Sequence, residues 1–211
     1  MAFDFKKEYR EFYLPKDQPS VVEVPPMNYI AVRGKGNPNR EDGEYKQSIG
    51  LLYGIAYAVK MSKMTDYRME GYFDFVVPPL EGFWWQDGTE GIDYSRKDDF
   101  QWISCIRLPD FVRERDFCWA VSEASRKKGS DFSKAEFVRI HEGLCVQCMH
   151  IGPYDAEPAT VHRMHAFLEP GGYLLDFSDQ RRHHEIYLSD VRKAAPEKLK
   201  TVIRHPIQRK E

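Results

Sequence analysis

Polar and hydrophobic residues are mixed along a short segment near the C-terminal end of the chain, residues 183–189 (His-His-Glu-Ile-Tyr-Leu-Ser). Its aromatic and β-branched residues, with Asp190 and Pro196 after it as terminators, predict a β-strand. Successive side chains of a strand point to opposite faces, so Glu185 and Tyr187 share one face while Ile186 occupies the other. A carboxylate among residues of buried type costs free energy unless it is paired, and desolvation raises its pKa. Glu185 is therefore either the acidic group of a pocket or an ordinary exposed strand residue.

The rest of the chain repeats one order of elements. Hydrophobic spacing and Gly or Pro punctuation predict strand 21–36, helix 44–63, strands 68–77 and 100–108, connecting helix 110–128, strand 137–151, helix 157–168, and short strands at 173–177, 182–188 and 198–204. Each half thus has the order strand, helix, strand, strand. The stretch 83–85 (Phe-Trp-Trp) is interpreted as an aromatic insertion between two strands.

This duplication predicts an α+β fold. Two strand–helix–strand–strand repeats related by a pseudo-twofold axis would form one mixed antiparallel sheet, with helices on one face and a ligand cleft on the other. Ile186 would face the helices, and Glu185 and Tyr187 would face the cleft. We expect an aromatic N-terminal arm at 1–20 and a single domain at 21–211, made of a first repeat at 21–108, a connecting helix at 109–129 and a second repeat at 135–207.

Composition narrows the class of protein. With 211 residues, 42% of them hydrophobic, the chain can bury a sizeable core. Its 31 basic and 33 acidic side chains are interspersed, which argues against a nucleic-acid-binding surface. The first twenty residues lack the apolar run of a signal peptide, and no segment is long and apolar enough to span a membrane. We expect a cytoplasmic monomer or homodimer with no nucleic-acid or membrane partner.

The metal-binding residue types do not form a recognisable site. Cys145 and Cys148 lie three apart in a predicted strand and therefore point to opposite faces, which favours buried free thiols over a chelating pair. His162 and His165 share a helix face but have no evident third ligand, so partly buried histidines are expected. The sequence accordingly predicts no metal and no cofactor.

Two motifs carry a family resemblance. The sequence Ile-Gly-Pro-Tyr-Asp at 151–155, leading into a helix, and Glu-Ile-Tyr-Leu at 185–188 together resemble the GyrI-like small-molecule-binding family. The strand at 29–34 and the helix around Tyr53 and Gly54 are similar to the first half of that fold. The resemblance spans about 21–207, and it places the family's pocket glutamate at Glu185.

The resemblance implies a choice between functions. Members of the family include ligand domains of multidrug-responsive regulators, free-standing binders and hydrolases of cyclopropane-containing genotoxins. The chain most resembles the free-standing subgroup that includes the cyclopropanoid cyclopropyl hydrolases. We therefore expect it to bind a planar aromatic or hydrophobic small molecule and to add water across a strained cyclopropane. The alternatives are a non-catalytic binder that recognises cationic aromatic ligands through Glu185, and a protein-interaction role.

Hydrolysis would need a base, a hydrogen-bond donor and flat apolar walls. Glu185 is the predicted general base on water, and Tyr187, His183 or Tyr72 is the predicted donor to the oxygen that gains charge. The predicted ligand-binding residues are mostly aromatic: Trp84, Trp85, Phe73, Trp102 and His183. Each has a structural alternative, since the tryptophans serve equally well as core, Trp102 as a residue that faces the helices, and Tyr72 as a packing residue.

Overall fold

The computed structural model describes residues 2–89 and 91–210. Its strands are β1 Ser20–Val24, β2 Met27–Lys35, β3 Leu80–Trp85, β4 Gln101–Arg107, β5 Glu136–Ile140, β6 Gly143–Ile151, β7 Tyr173–Leu175, β8 His183–Tyr187 and β9 Lys200–Arg209. Its helices are α1 Phe5–Glu8, α2 Arg10–Tyr13, α3 Glu44–Met61, α4 Glu114–Lys128 and α5 Glu157–Leu168. Among these described elements, no helix has the length and apolarity needed to cross a membrane.

The sheet displays the predicted internal duplication. Within the described residues its order is β1-β6-β9-β8-β3-β4-β2-β5, with β7 added on β9, and the ladders are antiparallel. The first repeat contributes β3-β4-β2 around α3, and the second contributes β8-β9-β6 around α5. The equivalent strands β3 and β8 meet at the centre. The predicted α+β fold of two repeats is therefore confirmed.

Each repeat lends its first strand to the other. β1 pairs with β6 and β5 pairs with β2, although β1 and β2 are separated only by Pro25 and Pro26. Proline lacks an amide hydrogen and cannot continue a ladder, so the strand predicted at 21–36 is divided there. The strand predicted at 137–151 is likewise divided, at His141 and Glu142. The two kinks bring the ends of the sheet together and turn Glu142 into the interior, where it is buried.

The two long helices α3 and α5 lie over the sheet face that carries Glu185. The hydroxyl groups of Ser48 on α3 and Ser104 on β4 are 2.7 Å apart, and His165 on α5 contacts His205 on β9 at 2.9 Å. The expected division of β8, with Ile186 toward the helices and Glu185 on the open face, differs from the structure. The cause is that α3 and α5 lie over the Glu185 face, whereas the N-terminal arm, with its short helices α1 and α2, covers the Ile186 face.

The aromatic N-terminal arm packs on the body as expected. Phe5, Phe12 and Tyr13 are buried, and the Tyr13 hydroxyl group donates to Oε1 of Glu81 at 3.3 Å. These three aromatic side chains therefore cover the Ile186 face of the sheet, which would otherwise need a layer of longer helices. The arm is therefore part of the hydrophobic core.

The sequence interpretations of the stretches 68–77 and 83–85 are wrong. The stretch predicted as a strand at 68–77 is irregular: Gly71 has a φ of +75°, and the only β-bridge of the stretch is an isolated one between Phe3 and Phe75 within the described residues. Its aromatic residues serve tertiary packing, which mimics strand composition. The stretch 83–85 is not an insertion, because it belongs to the central strand β3.

The cysteines are free thiols, as predicted for the pair in β6. Cys145 and Cys148 are buried, as is Cys105, whereas Cys118 is exposed on α4. Burial raises the pKa of Cys145 to about 12, so this thiol remains protonated and unreactive at neutral pH.

Candidate functional site

The Glu185 carboxylate is buried where the central strands of the sheet pack against helices α3 and α5. Glu185 on β8 is only 7% exposed, and it is paired with Gly82 on β3. A side chain at position 82 would not fit, because a Cβ atom there would lie 2.6 Å from Nε1 of Trp84 and 3.1 Å from the Tyr187 hydroxyl oxygen. The glycine therefore leaves the space into which the aromatic side chains around Glu185 pack.

A second carboxyl group faces Glu185 from the start of α5. Glu157 is completely buried, and its Oε2 accepts a hydrogen bond from the Tyr94 hydroxyl group at 3.0 Å. Burial, and then the charge of Glu185, raise the pKa of Glu157 well above the usual range. A hydrogen bond between the two carboxyl groups acts in the same direction. Glu157 is accordingly the member of this buried pair that is held in the protonated, neutral form, as expected of a desolvated acid beside the charge of another.

Histidines continue the hydrogen bonding away from this pair. Nε2 of His183 lies 2.8 Å from Oε1 of Glu185, and Nδ1 of the same ring lies 2.7 Å from Nε2 of His205. Nδ1 of His205 in turn lies 2.9 Å from Nε2 of His165 on α5. The side chain of His183 therefore holds Glu185 in position and is itself held from behind.

Aromatic side chains form the walls of the site. Nε1 of Trp84 donates to the Tyr187 hydroxyl oxygen at 2.9 Å, and the Tyr45 ring packs 5.0 Å from Trp84. The Tyr154 ring meets Tyr187 edge to face at 5.8 Å. Burial, followed by the charge of Glu185, raises the pKa of Tyr187 well above its usual value and that of Tyr154 to about 12. These phenols remain protonated and can donate hydrogen bonds.

A loop at 86–99 covers the site from the side of α5. The Gln86 side chain binds the backbone of Asp93 and the carbonyl oxygen of Arg96, which fixes the loop on itself. Lys97 forms an ion pair with Asp155 at 2.6 Å, beside the contact from Tyr94 to Glu157. The loop is thus tied to the beginning of α5 at two places, and it places the Tyr94 hydroxyl group against the acid pair.

The side chains of Glu157, His183 and Glu185 also lie close enough together to be considered as metal ligands. Among the described residues, one ligand atom each of Glu157, His183 and Glu185 lies within 4.8 Å of the others. However, the ring nitrogen of His183 is already bonded to Glu185, and Tyr94 already donates to Glu157. A shared proton accounts for the contact between the two acids, so we assign this cluster to proton sharing and derive no chemistry from an ion.

The structure brings four of the sequence-predicted site residues together: Glu185, Tyr187, Trp84 and His183. Trp102 lies one layer behind them, where it packs against Gly34 and meets the Tyr45 ring edge to face at 5.2 Å. Its buried position facing α3 corresponds to the structural alternative. Trp85, at the end of β3, is partly buried under the Arg182 guanidinium group, which lies 4.8 Å from its ring.

Tyr72 and Phe73 do not lie at the site. The Tyr72 hydroxyl group donates to the carbonyl oxygen of Lys60 at 2.6 Å, and the Phe73 ring packs against Phe111 at 5.1 Å. Lys60 and Tyr45 stand near opposite ends of α3, roughly 22 Å apart at a rise of about 1.5 Å per residue. The prediction of these two residues for the site is wrong because the strand that would have carried them does not form.

We expect Tyr72→Phe to leave ligand binding and turnover at the wild-type level. The substitution removes one hydrogen bond near the C-terminal end of α3, worth about 1 kcal/mol of stability. Matched assays of the variant and the wild type, with a thermal melt of each, measure both effects. A loss of turnover without a change in melting temperature would place Tyr72 in the site after all.

Several residues of the site were not predicted from the sequence. Glu157 lies two residues after the 151–155 motif, so its position at the start of a predicted helix was an available signal. His205 shares a ladder with β8, but a register between distant strands cannot be read from one sequence. Tyr154 lies within that motif, whereas Tyr45 and Tyr94 gave no signal that distinguishes them from the other tyrosines.

The fold and this site define a class of small-molecule-binding protein. The profile of the GyrI-like small molecule binding domain family matches residues 17–208, and the chain belongs to that family. The comparison with curated proteins finds no match.

Solved structures from Listeria innocua are similar over nearly the whole chain. An uncharacterised conserved protein is 50% identical with a TM-score of 0.92, covering 98% of this chain and 100% of its own. A protein described as a hydrolase is 48% identical with a TM-score of 0.89, also covering 98% and 100%. Another described hydrolase is 49% identical with a TM-score of 0.90, covering 99% and 100%.

Proposed function

We propose that the protein is a hydrolase that binds planar aromatic molecules and adds water across a strained cyclopropane, as in cyclopropanoid genotoxins. The observation that carries the proposal is the acid pair of Glu157 and Glu185, buried among aromatic side chains. A site for binding alone has no need of two carboxyl groups held in contact, since desolvating both is costly. The similarity to two Listeria innocua proteins described as hydrolases supports the same conclusion.

The reaction assigns a distinct task to each group. The substrate has a cyclopropane conjugated to a dienone. Glu185 accepts a proton from a water molecule, whose oxygen forms a bond to the methylene carbon of the cyclopropane. The carbon–carbon bond to that methylene breaks, and its electron pair moves through the ring to the carbonyl oxygen, which becomes a phenol on taking up a proton. Restored aromaticity makes the ring opening favourable.

The rest of the site orients the participants. His183 and the acid form of Glu157 hydrogen-bond to Glu185 and keep its carboxylate directed at the water. Tyr187 and Tyr154 remain protonated, so each can donate to a substrate oxygen that gains negative charge. The Trp84 ring and its aromatic neighbours offer flat surfaces to a planar substrate. The loop at 86–99 excludes bulk water once the substrate is in place.

The test is incubation of the purified protein with a duocarmycin-class cyclopropanoid in water enriched in ¹⁸O. We expect a ring-opened product that carries one heavy oxygen atom, formed in many equivalents per protein molecule. A heat-denatured sample provides the rate without enzyme. Recovery of unchanged compound, bound or free, would refute the hydrolase proposal.

A second candidate function is the sequestration of cationic aromatic compounds without turnover. It is favoured by the burial of Glu185 among aromatic side chains, because a single carboxylate beneath aromatic rings attracts a flat cation through charge and cation–π contacts. It predicts stoichiometric binding of a cationic dye and no product from the cyclopropanoid. Titration calorimetry with such a dye, beside the mass-spectrometric assay, separates the two functions.

A further inference from the structure

Glu185, His183, His205 and His165 form one continuous chain of hydrogen bonds, which we call the file. Its successive contacts, from Glu185 through His183 and His205 to His165, measure 2.8, 2.7 and 2.9 Å. His183 and His205 are buried, whereas His165 on α5 is partly exposed. The file therefore begins at a buried carboxylate and ends at a side chain that reaches solvent.

We propose that His183, His205 and His165 are a proton relay that exchanges one proton between Glu185 and solvent. The inference rests on the proposed function, in which Glu185 takes a proton from water. A planar substrate and the loop at 86–99 would then cover the direct route to bulk water. The base needs a second route to release that proton before the next turnover.

The relay balances in protons at every step. A proton on Glu185 passes to Nε2 of His183 while the hydrogen on Nδ1 of that ring passes to Nε2 of His205. The hydrogen on Nδ1 of His205 passes to Nε2 of His165, and His165 then releases its Nδ1 hydrogen to water. One proton leaves Glu185 and one enters solvent. Each ring ends with its hydrogen on the other nitrogen, and rotation of each ring about its Cβ–Cγ bond restores the starting arrangement before the next proton leaves Glu185.

The surroundings of His205 suit this task. A relay residue must be a neutral imidazole, which accepts at one nitrogen and donates at the other. Burial, and then the neighbouring His183 and His165 rings, lower the pKa of His205 well below its usual value. The ring edge of Phe177, 5.0 Å away, covers it with apolar surface. Glu185, with Glu157 beyond it, supplies the carboxyl groups at the inner end of the file.

The experiment compares His165→Ala with His162→Ala in the cyclopropanoid assay. His162 is exposed on the same helix and is outside the file, so its substitution is the matched control. In dilute buffer we expect kcat of His165→Ala to fall at least about tenfold with KM unchanged, because the proton from Glu185 then has no histidine to pass it to solvent. Added imidazole should restore the rate in a saturable way, since it replaces the missing side chain as proton acceptor.

A variant in the middle of the file sharpens the test. His205→Gln can hydrogen-bond but cannot pass a proton through, so we expect the same loss of kcat without rescue by imidazole. Wild-type kcat for His165→Ala in dilute buffer, or a loss that imidazole does not restore, would overturn the relay.

The relay can also be tested if the wild-type protein forms no product. If the wild-type protein forms no product, the proposed hydrolase function fails, and the relay is then judged by nitrogen NMR of ¹⁵N-histidine-labelled protein. We expect coupling across the hydrogen bond between His183 and His205, with His205 neutral throughout the neutral pH range. The lack of that coupling would overturn the relay independently of activity.

Discussion

Glu185→Gln should lower the rate of cyclopropanoid hydrolysis by about 10²–10⁴-fold, the range typical of a lost general base. Glutamine has the size of glutamate and keeps the hydrogen bond with His183, but it cannot accept a proton from water. Binding of the planar substrate should change little, because the aromatic walls remain in place. Single-turnover rates by mass spectrometry, with affinity from quenching of tryptophan fluorescence, measure the two effects separately.

Glu157→Gln is the matched control for this substitution. Glu157 is the member of the pair whose pKa is raised, so a neutral amide resembles the acid form that it already has. The amide can still donate toward Glu185 and accept from Tyr94. We expect less than about a tenfold loss of rate, within the effect of one altered hydrogen bond. Equal losses in both variants, or a larger loss at Glu157, would mean that the roles of base and acid are exchanged.

Arg204→Met should destabilise the fold by roughly 3–5 kcal/mol, the usual cost of removing one partner of a buried ion pair. Nη1 of Arg204 binds Oε1 of Glu142 at 2.7 Å, and Nη2 binds the carbonyl oxygen of Phe12 at 2.8 Å. Oε2 of Glu142 in turn lies 2.9 Å from Nδ1 of His184. Methionine fills the volume but leaves the buried Glu142 carboxylate without one of its two charged partners.

Urea denaturation of Arg204→Met and Arg33→Met beside the wild type measures this cost. Arg33 forms a 3.1 Å ion pair with Glu136, and both side chains are about half exposed. A solvent-exposed pair contributes at most about 1 kcal/mol, so the control should be nearly as stable as the wild type. Similar losses from both variants would mean that the buried network contributes no more than a surface pair.

The contacts of Glu142 with His184 and Arg204 also make the stability of the fold depend on pH. Burial alone would raise the pKa of Glu142, but the charges of His184 and Arg204 bring it down to about 2. A carboxyl group whose pKa is lowered in the folded state stabilises the protein above its usual value near 4.5, and this contribution is lost as the pH falls toward 2. We expect the melting temperature of the wild type to fall across that interval, and a flat profile would contradict the ion pair.

Local signals were sufficient for most of the fold. The helix at 157–168 was predicted with its correct ends, since a proline stands in its first turn and two glycines follow it. The stretch 68–77 failed because its aromatic residues pack against Phe3 and Phe111. Contacts of that kind depend on tertiary structure, which strand propensity cannot detect.

The site was predictable where it depends on a single strand. His183, Glu185 and Tyr187 alternate along β8, and that alternation alone places them on one face. Glu157 and His205 join them from α5 and β9, and their proximity follows from how these elements pack. The alternation therefore indicated Glu185, for which we propose the role of base, but it could not indicate Glu157 or His205 beside it.

The exchange of first strands between the repeats has a consequence for synthesis of the protein. Because β1 completes its ladder on β6, and Arg204 on β9 holds the carbonyl oxygen of Phe12, the N-terminal segment meets these partners only after β6 and then β9 have been synthesised. Contacts between such distant parts of a chain slow folding and expose unpaired strand edges. The nascent first half is thus the stage at which this protein most needs protection by chaperones.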